Sequence, residues 1–173
     1  MDIAAQIVGL VASAFNIGSF QMKDNKRLYI CQSVGGVLFS VSFFMLGSYT
    51  AALLNLICLL RGGALAAGKK WSGWPMYALV MGLFTLAGVL TYDGYLSIII
   101  TAAQLISTTT MFSRNGKVIR VFQFFLVCPA WLYNNIVIFS LGGIITETVS
   151  MVSILVSFLR FGLDGFVDER EKA

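Results

Sequence analysis

Gln21-Met22-Lys23-Asp24-Asn25-Lys26-Arg27 separates two long apolar runs and carries three of the twelve Lys and Arg residues of this 173-residue chain. Working outward, the apolar runs divide into seven segments of a length that crosses a bilayer. They lie at roughly Ile3 to Gln21, Leu28 to Leu46, Tyr49 to Ala67, Trp74 to Leu90, Tyr95 to Phe112, Val118 to Phe139 and Gly143 to Phe161. With seven spans, every basic residue falls on one side. Lys69 and Lys70 lie in the third turn, Arg114, Lys117 and Arg120 around the fifth, and Arg170 and Lys172 in the tail. Arg61 and Arg160 sit late in spans that end on that same side, where snorkelling to lipid phosphate is expected and a gate or a contact to an anionic substrate is the alternative. Basic flanks stay in the cytoplasm. The expected orientation is therefore N-terminus periplasmic and C-terminus cytoplasmic, in an all-α polytopic membrane protein.

Composition agrees. The chain is 58% hydrophobic and 12% charged, far from the balance of a soluble domain. Its net charge of +4 is explained by topology and does not imply nucleic acid. Cys31, Cys58 and Cys128 all fall inside apolar spans without clustered spacing, so they read as apolar fillers and not as a disulfide or metal set. Ala12-Ser13-Ala14 looks like a signal cleavage site, but Asp2 replaces a basic leader and the span is needed for the charge pattern.

The opening stretch also has an echo. Gln21-Met22-Lys23-Asp24-Asn25-Lys26 resembles Phe112-Ser113-Arg114-Asn115-Gly116-Lys117, and at that offset Gln32 falls on Gln123 and Ser13 on Gln104. With gaps, Leu46-Gly47-Ser48 matches Leu141-Gly142-Gly143, and Leu59-Leu60-Arg61-Gly62 matches Phe158-Leu159-Arg160-Phe161-Gly162. The expected plan is two parallel three-helix repeats joined by a linker helix, 3+1+3. Residues 1–70 form the first repeat, 71–93 the linker span, and 94–173 the second repeat with its tail. Parallel repeats around an axis along the membrane normal are a transporter plan.

No constellation for catalysis, metal or cofactor appears. The chain has no His, and its acids lie in turns, the tail or the outer end, except for Glu147. An intramembrane carboxylate should face protein or water. Glu147 reads as a cation, proton or substrate contact, or as a hydrated residue near the interface. Trp131, Asn134 and Asn135 share one helical face, just after Pro129, whose missing N–H permits a bend and makes it the hinge candidate. An indole beside amides suits a neutral polar solute; helix packing is the bland alternative. Asn16, Asn55 and Gln104 add polar positions on other spans, with further stripes at Gly9 and Ser13, at Thr101 and Thr108, and at Thr146, Ser150, Ser153 and Ser157. Ser33, Gly36 and Ser40 read as a close-packing seam.

The run Phe20-Gln21-Met22-Lys23-Asp24-Asn25-Lys26-Arg27-Leu28, followed by Phe43-Phe44-Met45-Leu46-Gly47-Ser48-Tyr49, resembles the YgjV family of bacterial inner membrane proteins. So do Trp131-Leu132-Tyr133-Asn134-Asn135 and Ser140-Leu141-Gly142-Gly143 with Glu147. That family is grouped with the PQ-loop superfamily, which includes the SWEET facilitators. The resemblance implies an inner membrane carrier of a small polar solute such as a sugar or nucleoside, working by alternating access. The expected substrate-facing set is Trp131, Asn134, Asn135, Glu147, Asn16, Asn55 and Gln104. A receptor or scaffold that does not translocate, and a proton- or cation-coupled carrier using Glu147, are the alternatives. The bilayer and the solute are the expected partners; homo-oligomerisation is left open.

Overall fold

A computed structural model describes residues 2–19, 25–68, 71, 73–113 and 115–161. Lys23, Lys69, Lys70, Arg114, Arg170 and Lys172 lie outside the described residues, as do the side chains of Lys26 and Arg27.

All regular structure among the described residues is helical. The helices are α1 (Ile3–Ser19), α2 (Asn25–Met45), α3 (Tyr49–Ala66), α4 (Trp74–Leu90), α5 (Tyr95–Phe112), α6 (Gly116–Phe122), α7 (Cys128–Val137) and α8 (Leu141–Phe161). A π turn, Gln123–Val127, joins α6 to α7 into one rod, so the described residues form seven rods. Pro129 explains the π turn. It cannot donate to the carbonyl four residues back, and its ring would strike it. The chain widens by one residue, and the Cys128 N–H reaches the Gln123 carbonyl instead.

Tyr49–Ala66, Tyr95–Phe112 and Leu141–Arg160 are long and apolar enough to cross a membrane, while Ile3–Gly18, Ile30–Met45 and Trp74–Leu90 are shorter apolar helices. Burial departs from that of a soluble protein at the surface. Large apolar side chains such as Leu159, Trp74, Leu90 and Ile3 are exposed, whereas Gln6, Ser42, Thr50, Gln104, Thr108, Asn134 and Asn135 are buried alongside an apolar core that includes Phe84, Leu54, Ile100 and Val80. Lipid solvates the first set. The second set must find partners inside the protein.

Neighbouring rods form a ring. α2 packs on both α1 and α3, and α3 meets α5. α5 packs on the α6–α7 rod, α7 packs on α8, and α8 returns to α1, while α4 lies against α3 and α5. The α1–α8 closure is close. A Cβ at Gly142 would collide with the Gly9 carbonyl. Ser13 Oγ donates to the Gly142 carbonyl at 2.6 Å, and Gln6 Nε2 donates to the Phe139 carbonyl at 2.7 Å. The Leu141 N–H donates to Gln6 Oε1 at 2.9 Å.

Two hairpin turns repeat each other. The Ser48 N–H donates to the Phe43 carbonyl and the Gly47 N–H to the Phe44 carbonyl; the Ser140 N–H donates to Asn135 and the Phe139 N–H to Ile136 in the same pattern. Gly47 (φ 76°) and Phe139 (φ 56°) both take left-handed backbone. Leu46-Gly47-Ser48 thus corresponds in geometry to Ile138-Phe139-Ser140, not to the expected Leu141-Gly142-Gly143. The expected equivalence of Arg61 and Arg160 also falls. Arg61 is the thirteenth residue of α3, and Arg160 is the twentieth of α8, about two helical turns deeper.

Candidate functional site

α1 begins on one face of the bundle, here the N-face, and α8 ends on the opposite C-face. Inside the ring lies a cavity of about 150 Å³. Six of the seven expected substrate-facing residues line it: Asn16, Asn55, Gln104, Trp131, Asn135 and Glu147. Helical spacing brings them there. Asn55 and Cys58 are three residues apart on α3, and Arg61 follows three further on, so one stripe of α3 faces inward.

Aromatic rings close the N-face end. Phe39 and Phe43 stack at 5.5 Å, and Phe43 and Trp131 at 6.1 Å. These three, with Asn135, are buried. Toward the C-face the lining residues Gln32, Gly62, Met111 and Gln123 are only half-buried. Among the described residues the cavity is therefore closed toward the N-face and less enclosed toward the C-face.

Asn135 is 1% exposed and packs on Gly143, where a Cβ would strike its amide. Its Oδ1 has no hydrogen-bond partner among the described residues, nor does Thr146 Oγ1 beside it. Unpaired buried polar atoms are rare and usually mark a missing water or ligand. The Glu147 carboxyl meets the Cys128 thiol. Gln104 Nε2 donates to Cys58 Sγ at 3.0 Å, while Asn55 Nδ2 donates back to the Ala51 carbonyl at 3.0 Å. The Asn16 side chain rests against Gly35.

Three expectations need correction. Asn134 does not share the cavity with Asn135. It is 1% exposed and lines a second cavity of about 110 Å³ near the N-face, with Thr50, Asp93 and Ser97. Successive helical residues diverge by about 100°, so neighbouring amides serve different spaces. Arg61 does not snorkel. It is 9% exposed, lines the central cavity and lies 5.8 Å over the Phe84 ring. Its Nη1 donates to Thr108 Oγ1 at 3.1 Å and to Ser107 Oγ at 3.5 Å. Cys58 is no mere filler, since it lines the cavity. Arg160, by contrast, is exposed.

Pro129 lies beside the π turn, behind the lining. Thr101 packs against Gly88 of α4, and Ser13 belongs to the α1–α8 seam. Ser40 donates to the Ala52 carbonyl at 2.7 Å, as befits a packing seam, but Ser33 and Gly36, expected in the same seam, line the central cavity. The sequence reading missed Gln32, Gln123, Phe39 and Phe43 as lining residues. Gln32 and Gln123 had already matched in the repeat, and that signal could have found them.

The model of a family of bacterial inner membrane proteins, Imp-YgjV, matches residues 3–164. The Inner membrane protein YgjV of Escherichia coli (strain K12) is 26% identical over 172 residues, covering 96% of this chain and 92% of that protein. No solved structure matches.

Proposed function

Since the chain belongs to the YgjV family of bacterial inner membrane proteins, we propose that it carries a small polar solute across the inner membrane by alternating access around the central cavity. The observation that carries this reading is a polar cavity inside an apolar-surfaced ring, closed toward the N-face and, among the described residues, less enclosed toward the C-face. Such a cavity has no use as packing, because apolar side chains would fill the space more cheaply. The one-sided Lys/Arg distribution supports an N-face in the periplasm and a C-face in the cytoplasm.

The cavity lining also supports the 3+1+3 repeat. At an offset of 91, Asn16 pairs with Ser107, Gln32 with Gln123 and Gly36 with Val127; all six line the cavity. After the π turn the offset becomes 92. Phe39 then pairs with Trp131, Phe43 with Asn135, Asn55 with Glu147 and Cys58 with Ser150, and all eight line it. The π turn supplies the extra residue. α4 is the unpaired linker. In this plan the first half (α1 to α3) and the second (α5 to α8) rock against each other around their shared cavity.

A binding-only receptor is the second reading, favoured by a cavity that the described residues leave less enclosed at one end only. The deciding experiment is a metabolite screen for thermal stabilisation of the purified protein, followed by counterflow of each hit in proteoliposomes. We expect a hit that exchanges across the membrane and is lost in Trp131→Ala and Asn135→Ala while the protein stays folded. A hit that binds but does not exchange favours the receptor. No hit at all from folded protein removes the solute reading.

A further inference from the structure

Two ionisable side chains, Arg61 and Glu147, enter the central cavity, and both break its pairing. Asn55 occupies in the first half the position that Glu147 occupies in the second, and Arg61 occupies the position of Ser153. Pairing alone would make both halves neutral. Instead a carboxylate comes from α8 and a guanidinium from α3. The helical rise puts Arg61 about 18 Å and Glu147 about 9 Å below the N-face ends of their helices. The charges thus differ in depth by about 9 Å before the reach of the arginine is counted.

Their surroundings differ in kind. Near Glu147 stand the unpartnered Asn135 Oδ1 and Thr146 Oγ1, both in side chains more than nine-tenths buried. The Trp131 ring, stacked on Phe43, closes the same end. Carboxylate, amide oxygen and indole together suit an ammonium group. At the other end Arg61 carries five donors, more than Ser107 and Thr108 engage. A guanidinium fork suits a carboxylate.

Resting on the reading of this cavity as a solute site, we propose that its solute is a small zwitterion. It binds in one orientation, with its ammonium toward Glu147, Asn135 and Thr146 and its carboxylate toward Arg61. A zwitterion supplies a counter-ion to the buried Arg61 and to the half-buried Glu147 at once, whereas a neutral sugar supplies neither. Size agrees. A cavity of 150 Å³ holds on the order of five to ten waters, which suits a free amino acid and is too small for a nucleoside or disaccharide.

The test uses the full chain in nanodiscs and two readouts. One is thermal stabilisation of the unaltered protein. The other is protection of Cys58, which lines the cavity, from a small maleimide in a Cys31→Ala, Cys128→Ala background. The probes are glycine, L-alanine, L-serine, β-alanine and γ-aminobutyrate, set against propionate, butyrate, ethylamine, butylamine, glycerol and glucose. At least one zwitterion should stabilise and protect where every singly charged or neutral probe fails. Glu147→Gln and Arg61→Gln should each raise its half-effective concentration about tenfold or more, and Arg61→Lys should recover part of the loss. If a sugar, polyol or monocarboxylate works as well as any zwitterion, this inference is wrong while the solute reading stands. Equal protection in both Gln variants also overturns it. If neither these probes nor the wider metabolite screen yields a ligand, both readings fall.

Discussion

Replacing Gly142 by alanine is the sharpest test of the ring closure. The added Cβ would overlap the Gly9 carbonyl and lie 2.8 Å from the Leu10 nitrogen. These are backbone atoms and cannot rotate aside, so α1 and α8 must move apart. Overpacking of this kind costs about 1–3 kcal/mol. The Ser13 hydrogen bond to the Gly142 carbonyl would stretch with it, and such bonds between membrane helices contribute about 0.6 kcal/mol on average. The expected loss is therefore about 2–3 kcal/mol, or roughly 30- to 150-fold in the folding equilibrium. Gly82→Ala in α4 is the control, because its Cβ meets nothing within 4 Å, and it should be neutral or slightly stabilising. Unfolding in mixed micelles by increasing SDS, followed by tryptophan fluorescence, gives the comparison. Equal midpoints for the two variants would refute the close α1–α8 approach.

Gly88→Ala should separate α4 from α5, because its Cβ would press on the Thr101 side chain; we expect about 1–2 kcal/mol lost in the same assay. Deleting Phe125, an exposed residue of the π turn, should convert that turn to regular helix and cost little, leaving ligand stabilisation intact. Deleting Leu132 should instead rotate the rest of α7 by about 100° and abolish it. Reporter fusions should show an N-terminus in the periplasm and a C-terminus in the cytoplasm; both on one side would remove the seven-span topology.

Hydropathy made the helical organisation legible, because lipid imposes long apolar segments. The cavity was partly legible for a different reason. Residues three or four apart share a helix face, so Trp131 and Asn135 were correctly joined. The same rule cannot say where one cavity ends, and Asn134 fell on the far side of that division. Arg61 was misread because sequence gives no zero of depth; being thirteenth in its helix keeps it among Ser107, Thr108 and Phe84. The π turn was not legible, because hydropathy does not register one extra residue within a helical rod.

Ring closure between α1 and α8 also sets an order of assembly. The bond from Ser13 to Gly142 spans 129 residues of sequence, and that from Leu141 to Gln6 spans 135. While the chain is being inserted, α1 leaves the translocon with its Gly9, Ser13 and Gln6 edge facing lipid or a chaperone, unmet until the last span arrives. The cavity has no wall on that side until then. A chain stalled before Leu141 would be an open arc with a polar edge, ready to pair with another arc or to be recognised by a quality-control protease. Completion of the cavity wall and protection from degradation thus become the same event.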